Sequence, residues 1–366
     1  METTSRAWLI LLHAYLTVAE LKALCSNYGD VAAIVCLTAE SLREAGLSDD
    51  KVSAITSPDE TRLDDALTWL DHTSHRLVAF GEEDYPELLA QIPAPPLLLF
   101  VNGDIECLHL PALAIVGSRN PTHGGIRNAV EFSRYLSQHG FVIVSGLAEG
   151  IDTAAHRGAL GAGGKTVAFL GHGIDRVYPA SNRDLAHVIA NGGALLSEYP
   201  LGARPLRRHF PERNRLISGL SLGTLVVEAA RQSGSLITAR LASEQGREIF
   251  ALPGSIHNPL ARGCHALIRQ GAKLVETASD ILEELTPLRQ HMVQTTTLPP
   301  PPEKGDISVD HDYVELRALL SHDPASIDEL AEQSSLTIDQ LSSMLLILEL
   351  HGEVESLSGG RYALSD

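Results

Sequence analysis

Cysteine is scarce. The 366 residues hold four, Cys25, Cys36, Cys107 and Cys264, with no CxxC pair and no Cys/His ligand spacing. That excludes a disulfide framework and a zinc motif, and it reads as reduced thiols in a cytoplasmic protein. Long apolar runs are missing too. Ala7–Leu16 is apolar but is interrupted by His13 and is too short to span a bilayer. It has one Arg ahead of it and no clean small-x-small cleavage site behind it, so it reads as a core helix, not a signal peptide, and no membrane contact is expected. A dinucleotide fingerprint is also absent: the turn after the first central strand runs Gly117-Ser118-Arg119-Asn120-Pro121 instead of GxGxxG. Gly161-Ala162-Gly163-Gly164-Lys165-Thr166 imitates a P-loop, but Ala159 stands where the first glycine belongs. It also precedes a strand, where a P-loop follows one. No cofactor and no metal are expected. Positive charge is in short supply, with 28 Lys and Arg against 46 Asp and Glu, a net of −18. Taken whole, such a chain repels polyanions.

The charge is uneven. Residues 1–75 carry 12 acids and 5 bases, residues 310–366 carry 12 and 2, and the middle carries 22 and 21. A nucleic-acid role therefore belongs to the near-neutral middle. With 44% hydrophobic and 20% charged residues, the chain is an ordinary globular protein with room for two or three domains.

Residues 1–72 have apolar residues at helical spacing, broken by turns at 26–30 and 45–49, with a capped helix start at Thr38–Leu42. They form a small helical domain. Being acidic and lacking a GxG hairpin, it suits packing or protein contact better than DNA. Asp84–Leu89 and Pro93–Phe100 read as a bridge into the next domain. Between residues 76 and 286 strands alternate with helices: Leu113–Val116, Phe141–Ser145, Thr166–Leu170, Ala194–Ser197, Thr224–Glu228, Glu248–Leu252 and Lys273–Val275. Several are continuous apolar runs, as when helices cover both faces. The pattern predicts an α/β domain with a doubly wound, mostly parallel sheet, with ligands at the strands' carboxyl ends.

One stretch at those ends stands out. From Arg204 to Arg215 there are five arginines, Arg204, Arg207, Arg208, Arg213 and Arg215, beside Phe210 and a single acid, Glu212. Pro205 and Pro211 keep the backbone extended, and a helix is expected from Asn214. Guanidinium groups for phosphates and a ring for a base face are what a single-stranded nucleic acid needs. Composition alone leaves a solvated loop equally open. Ser145-Gly146 and Ser233-Gly234-Ser235 place small residues at helix starts, where free N–H groups favour phosphate, though each is also a good plain cap. Asp152 and His156 stand one helical turn apart and read as a structural pair. Gly223–Glu228 weakly resembles part of a nucleotide phosphoribohydrolase motif without its Pro-Gly-Gly lead-in, which keeps an enzyme as the alternative.

Residues 287–309 read as a linker, stiffened by four prolines at 299–302. Residues 310–366 read as a winged helix: helices at 314–320, 326–331 and 337–350, with a wing from 353–357 and 361–364. The third helix offers Asp339, Gln340, Ser342 and Ser343 and no basic residue, so protein contact is expected of it and not DNA binding.

The central domain resembles the DNA-processing protein A (DprA, or Smf) family. The carrying residues are VGSR at 116–119, SGLAEGID at 145–152, GIDRVYPASNRDL at 173–185 and SEYPLGARPLRRHFPERNRLISGLS at 197–221. The match continues through VVEAARQSGSLITARLASEQGREIFALPG at 226–254 and GCHALIRQGA at 263–272. The resemblance implies an extended Rossmann-like fold that binds single-stranded DNA without sequence preference. It also implies homodimerisation and loading of RecA onto incoming strands during natural transformation, with no catalytic activity. Strand-binding positions carry over onto Arg119, Ser145, Gly146, Arg207, Phe210, Arg213, Asn214 and Arg215; the Ser233–Ser235 turn is added from the helix-start argument. His265 and His123 depart from the family pattern, which has Asn at the first position and commonly an aromatic at the second.

Overall fold

The structure, a computed structural model, describes residues 2–295 together with 316, 319–320, 325–334, 341, 344–345, 348, 354–357 and 361–364. The chain divides into two units, Met1–Thr295 and Thr296–Asp366.

Six helices open the first unit: α1 (Glu2–His13), α2 (Val18–Tyr28), α3 (Val31–Ile34), α4 (Ala39–Glu44), α5 (Asp49–Thr56) and α6 (Glu60–Leu70). Short polar caps set their starts. Thr17 and Glu20 form a capping box on α2, and the side chains of Asp30, Thr38 and Asp59 accept from backbone N–H groups of α3, α4 and α6. These helices pack on one another, and their core is continuous with that of the sheet domain. Trp8, Leu9, Leu11, Ile34 and Leu63 belong to one buried cluster with Leu98, Phe100, Ala168 and Leu195 of the sheet domain.

Nine strands form one sheet in the order β1-β2-β6-β5-β4-β3-β7-β8-β9. They are β1 (His75–Ala79), β2 (Leu98–Gly103), β3 (Ala112–Val116), β4 (Val142–Ser145), β5 (Thr166–Phe169), β6 (Ala194–Ser197), β7 (Gly223–Val226), β8 (Glu248–Ala251) and β9 (Lys273–Leu274). From β6 to β9 all neighbours run parallel, while β1 and β2 are antiparallel to each other and β2 is antiparallel to β6. The seven strands expected from the sequence are all present. The two antiparallel ones are additions. Strand β2 lies at the end of the segment that reads as a bridge, because Pro93, Pro95 and Pro96 mark a loop immediately before its apolar run.

Helices α8 (His123–Gln138), α9 (Ile151–Gly161) and α14 (Ala278–Thr295) cover one face, and α11 (His209–Gly219) and α12 (Gly234–Glu244) the other; α7 (Glu87–Ala90), α10 (Arg183–Gly192) and α13 (Arg262–Arg269) complete the unit. Strand alternation sets this division. Leu113 and Ile115 of β3 pack with Ala129, Phe132 and Ala155, whereas Ala112, Ala114 and Val116 pack with Leu216, Ile217 and Ala239. The P-loop imitation is a helix end: α9 stops at Gly161, Gly163 takes φ 70°, and Lys165 pairs with Asp104 at 2.5 Å. Helix α14 runs through Thr295, past residue 287, where the linker was expected to begin. Its early turns are anchored by buried Ile281 and Leu285. The prolines at 299–302 lie outside the described residues.

In the second unit, β10 (Ala325–Ser326), β11 (Val354–Leu357) and β12 (Arg361–Leu364) pair antiparallel in the order β10-β12-β11, which forms the wing. Ser326 and Glu329 form a capping box on α15 (Ile327–Gln333). Leu316, Leu330, Leu341, Leu345, Leu348 and Val354 make its core. Asp339, Gln340, Ser342 and Ser343, and with them the reading of the third helix, lie outside the described residues.

Candidate nucleic-acid interface

The loops that leave the carboxyl ends of β3, β4, β5, β6 and β7 meet in a cleft of about 680 Å³. Because β3 and β7 are neighbours whose following helices, α8 and α12, lie on opposite faces, the cleft opens at the point where the winding of the sheet reverses. It gathers Arg119, Arg207, Phe210, Arg213, Asn214 and Ser233–Ser235 from the residues expected, and adds Asp152 and Tyr178.

Helix α11 begins at His209, five residues before the expected start at Asn214. Pro211 therefore sits in its first turn, where the missing N–H is not needed. This turns Phe210, Arg213 and Asn214 toward the cleft from one helical surface. Arg213 is its floor. The side chain is buried, and one guanidinium nitrogen, Nη1, donates to the carbonyls of Gly146 at 2.7 Å and of Phe169. Residue 146 has to be glycine for this, since a Cβ there would lie 2.3 Å from Nη1. Asp152, also buried, accepts from the Gly146 N–H at 3.1 Å and the Ala148 N–H at 3.4 Å. Burial pushes the Asp152 carboxyl above its ordinary value, with the Arg213 charge and the two N–H groups opposing. Burial also lowers Arg213, to about 10, with Asp152 opposing. The loop between β4 and α9 bends sharply to make these contacts: Leu147 has φ 56°, and Gly150 has φ 83° with no room for a Cβ beside the Ser118 carbonyl.

Above this floor stand two exposed arginines and two aromatic rings. The exposed Arg119 places its guanidinium carbon 5.8 Å from the Phe210 ring centroid. Tyr178, 49% exposed, lies 5.7 Å from the same ring on a tilted plane. Arg207 stands exposed at the rim. Asn214 donates to the Gly234 carbonyl at 3.4 Å, tying α11 to the start of α12. There Ser233 caps α12, accepting from the Ser235 N–H at 3.3 Å.

Other expected residues lie elsewhere. Arg215 faces away, paired with Glu198 in a separate groove beside Tyr199 and Pro96. One residue separates it from Arg213, and at 100° per residue a helix cannot point 213, 214 and 215 the same way. Ser145 is fully buried and donates to the Ile115 carbonyl at 2.7 Å, and Gly146 contributes its backbone beneath Arg213; both shape the floor. Asp152 and His156 do not form a pair. His156 Nδ1 lies 2.7 Å from Thr166 Oγ1 while Asp152 turns to the β4 loop, and burial lowers the imidazole to about 3. Glu228, on which the hydrolase alternative depends, has both carboxylate oxygens engaged. The Thr122 N–H donates to one at 2.9 Å and the Thr122 hydroxyl to the other at 2.6 Å, fastening the start of α8. Of the two departures, His265 Nε2 lies 3.0 Å from the Gly254 carbonyl, and His123 is the exposed first residue of α8. Sequence reasoning missed Tyr178, whose only signal is an aromatic in the loop after a strand, well outside the arginine run that holds Phe210. Among the described residues no group of three or more His, Cys, Asp and Glu could hold a metal ion, and no helix is long and apolar enough to cross a membrane.

Comparison with known proteins agrees with this architecture. Residues 76–286 match the model of the DNA recombination-mediator protein A family, and residues 298–360 match the DprA winged helix domain. Protein Smf of Escherichia coli K12 is 40% identical over 354 residues, 93% of this chain and 93% of the relative. The X-ray structure of DNA processing protein A from Streptococcus pneumoniae covers 77% of this chain and 98% of its own, at TM-score 0.69 and 38% identity. DNA processing protein A from Helicobacter pylori, described with a unique single-stranded DNA binding mode, covers 59% of this chain and 97% of its own, at TM-score 0.54 and 30% identity. With the sheet order, the wing and the family match in agreement, the chain belongs to the DNA recombination-mediator protein A family.

Proposed function

We propose that this protein binds single-stranded DNA without sequence preference in the cleft between α11 and α12. The observation that carries the reading is the grouping of Arg119, Phe210 and Tyr178 at the mouth, with Arg207 lining the same cleft. Aromatic faces stack on any base, and exposed guanidinium groups meet phosphates as the strand passes. Backbone N–H groups at Ser233–Ser235 add donors, and the Arg213 charge makes the floor favourable to an anion without being a movable contact. Ser145 and Gly146 serve by shaping that floor, while Arg215 contributes to folding more than to the strand. The family description and the Helicobacter pylori relative support the same reading.

The larger role is that of a recombination mediator in natural transformation: a cytoplasmic homodimer, joined through the sheet domain, that hands single strands to RecA, while the acidic winged helix contacts protein. The family resemblance supports this part, and binding, not turnover, is the activity. A salt titration with one unstructured oligonucleotide, as a single strand and as a duplex, tests the cleft. Tight single-strand binding that weakens steeply with salt, beside weak duplex binding, is expected. Little binding to either by the folded protein would reduce the arginine segment to a solvated loop. Faster RecA assembly on single strands in the presence of the protein is the matching test of the handover.

A further inference from the structure

A second hollow, of about 340 Å³, lies on the far side of the opening turn of α12. Its wall holds Arg231, Gln232 and Arg240, and it shares Ser233, Gly234 and Ile237 with the cleft just described. The two hollows are therefore adjacent, with one helical turn as the ridge between them. The ridge is low: Gly234 is exposed and carries no side chain. No acid stands among the residues lining the second hollow. Arg231 is exposed and makes no ion pair among the described residues. Among the described residues Arg240 has only Glu244 as an ion-pair partner, at 3.5 Å, with side chains 70% and 56% exposed. An exposed pair of this kind holds its partners weakly, so the guanidinium is available to another anion.

We propose that a bound single strand does not end in the first cleft but crosses the ridge at Gly234 and continues onto Arg231 and Arg240, which meet one phosphate each. This rests on the single-strand reading above. The protein then has a two-part binding track: a first cleft with rings for bases, and a second, ring-free part that holds backbone only. Neither arginine falls in the arginine-rich segment, and they are nine positions apart in sequence. The fold brings them together, Arg231 from the loop after β7 and Arg240 from the second turn of α12.

The test is a salt titration with oligothymidylates from about 4 to about 20 nucleotides, on the full chain and on the Arg231→Ala/Arg240→Ala variant. Both residues are exposed, so the unfolding midpoint should stay at the parent value. For the longest strand, the slope of log affinity against log salt is expected to fall by about 1.4, about 0.7 for each of the two phosphates no longer neutralised. For the shortest strand, affinity and slope should match the parent, and Arg231→Lys/Arg240→Lys should restore the long-strand slope. The proposal is overturned if the alanine variant keeps the parent slope on long strands, or if short and long strands are weakened equally. An Arg119→Ala/Arg207→Ala variant separates the two levels. If it binds all lengths as the parent does, the single-strand reading fails and takes this one with it. If it weakens all lengths while the Arg231/Arg240 variant changes nothing, only the extension fails.

Discussion

Replacing Arg213 with methionine is the sharpest probe of the cleft floor. The substitution keeps an unbranched side chain but removes the charge and both hydrogen bonds to carbonyls. Gly146 and Phe169 lose a charge-assisted donor, each bond of that type being worth about 1.5–3 kcal/mol, and Met recovers part of this through apolar burial. A net loss of about 3 kcal/mol follows near neutral pH. The deficit should also depend on pH, because of Asp152. Burial already holds that carboxyl above its unfolded value, and Arg213 is the leading force pulling it down. Without Arg213 the folded value rises further. A group with a raised folded value binds its proton in the folded state first, so its contribution to stability is lost as pH rises from the unfolded value through the folded one. The gap between variant and parent should therefore widen as pH goes from 5 to 8. Urea unfolding at those two values, followed by the near-ultraviolet signal, reads it. A deficit below about 1 kcal/mol, or one independent of pH, would refute the account of Arg213 as a buried charge balanced by Asp152.

Three further outcomes follow from the same geometry. Phe210→Ala should cost about 1–3 kcal/mol of single-strand affinity by fluorescence anisotropy, with the salt slope unchanged because the ring neutralises no phosphate. Arg215→Ala should leave the salt slope of single-strand binding alone yet lower stability by about 3 kcal/mol, since Glu198 is left largely buried without its partner; equal slopes with a shifted unfolding midpoint are the expected pair of readings. His156, held near 3 against an unfolded value of 6.5, leaves the unfolded chain to bind the proton first, so stability is lost as pH falls through that interval. The acid limb of a stability profile should flatten in His156→Gln.

Much of the architecture was legible because parallel strands covered on both faces write themselves as apolar runs, as at Leu113–Val116 and Ile143–Val144. The antiparallel edge was not. Its second strand starts shortly after Pro96, and its first, His75–Ala79, mixes a histidine and an arginine with three apolar residues, because only one end of it is buried. At the site, residue types were readable and directions were not. Nothing in Arg213-Asn214-Arg215 says which arginine goes under the cleft and which goes into an ion pair. That depends on where α11 starts, and the prolines suggested a later start than the structure has. Asp152 and His156 show the same limit: spacing of four set them on one helical side, but partners in the loop after β4 and on β5 drew them apart.

The shared core of the N-terminal helices and the sheet bears on how this chain can be cut. A fragment starting at residue 76, where the family match begins, would strip the cover from Leu98, Phe100 and Leu195, along with the Trp8 bond to Glu82 at 2.7 Å and the Lys22 cation over the Phe80 ring. A continuous greasy face would then meet water, and such faces drive self-association. The acidic helices are thus less a detachable bead on the chain than a lid soldered to the sheet. Their 12 acids against 5 bases in residues 1–75 also give this unit one region whose field is unfavourable to polyanions.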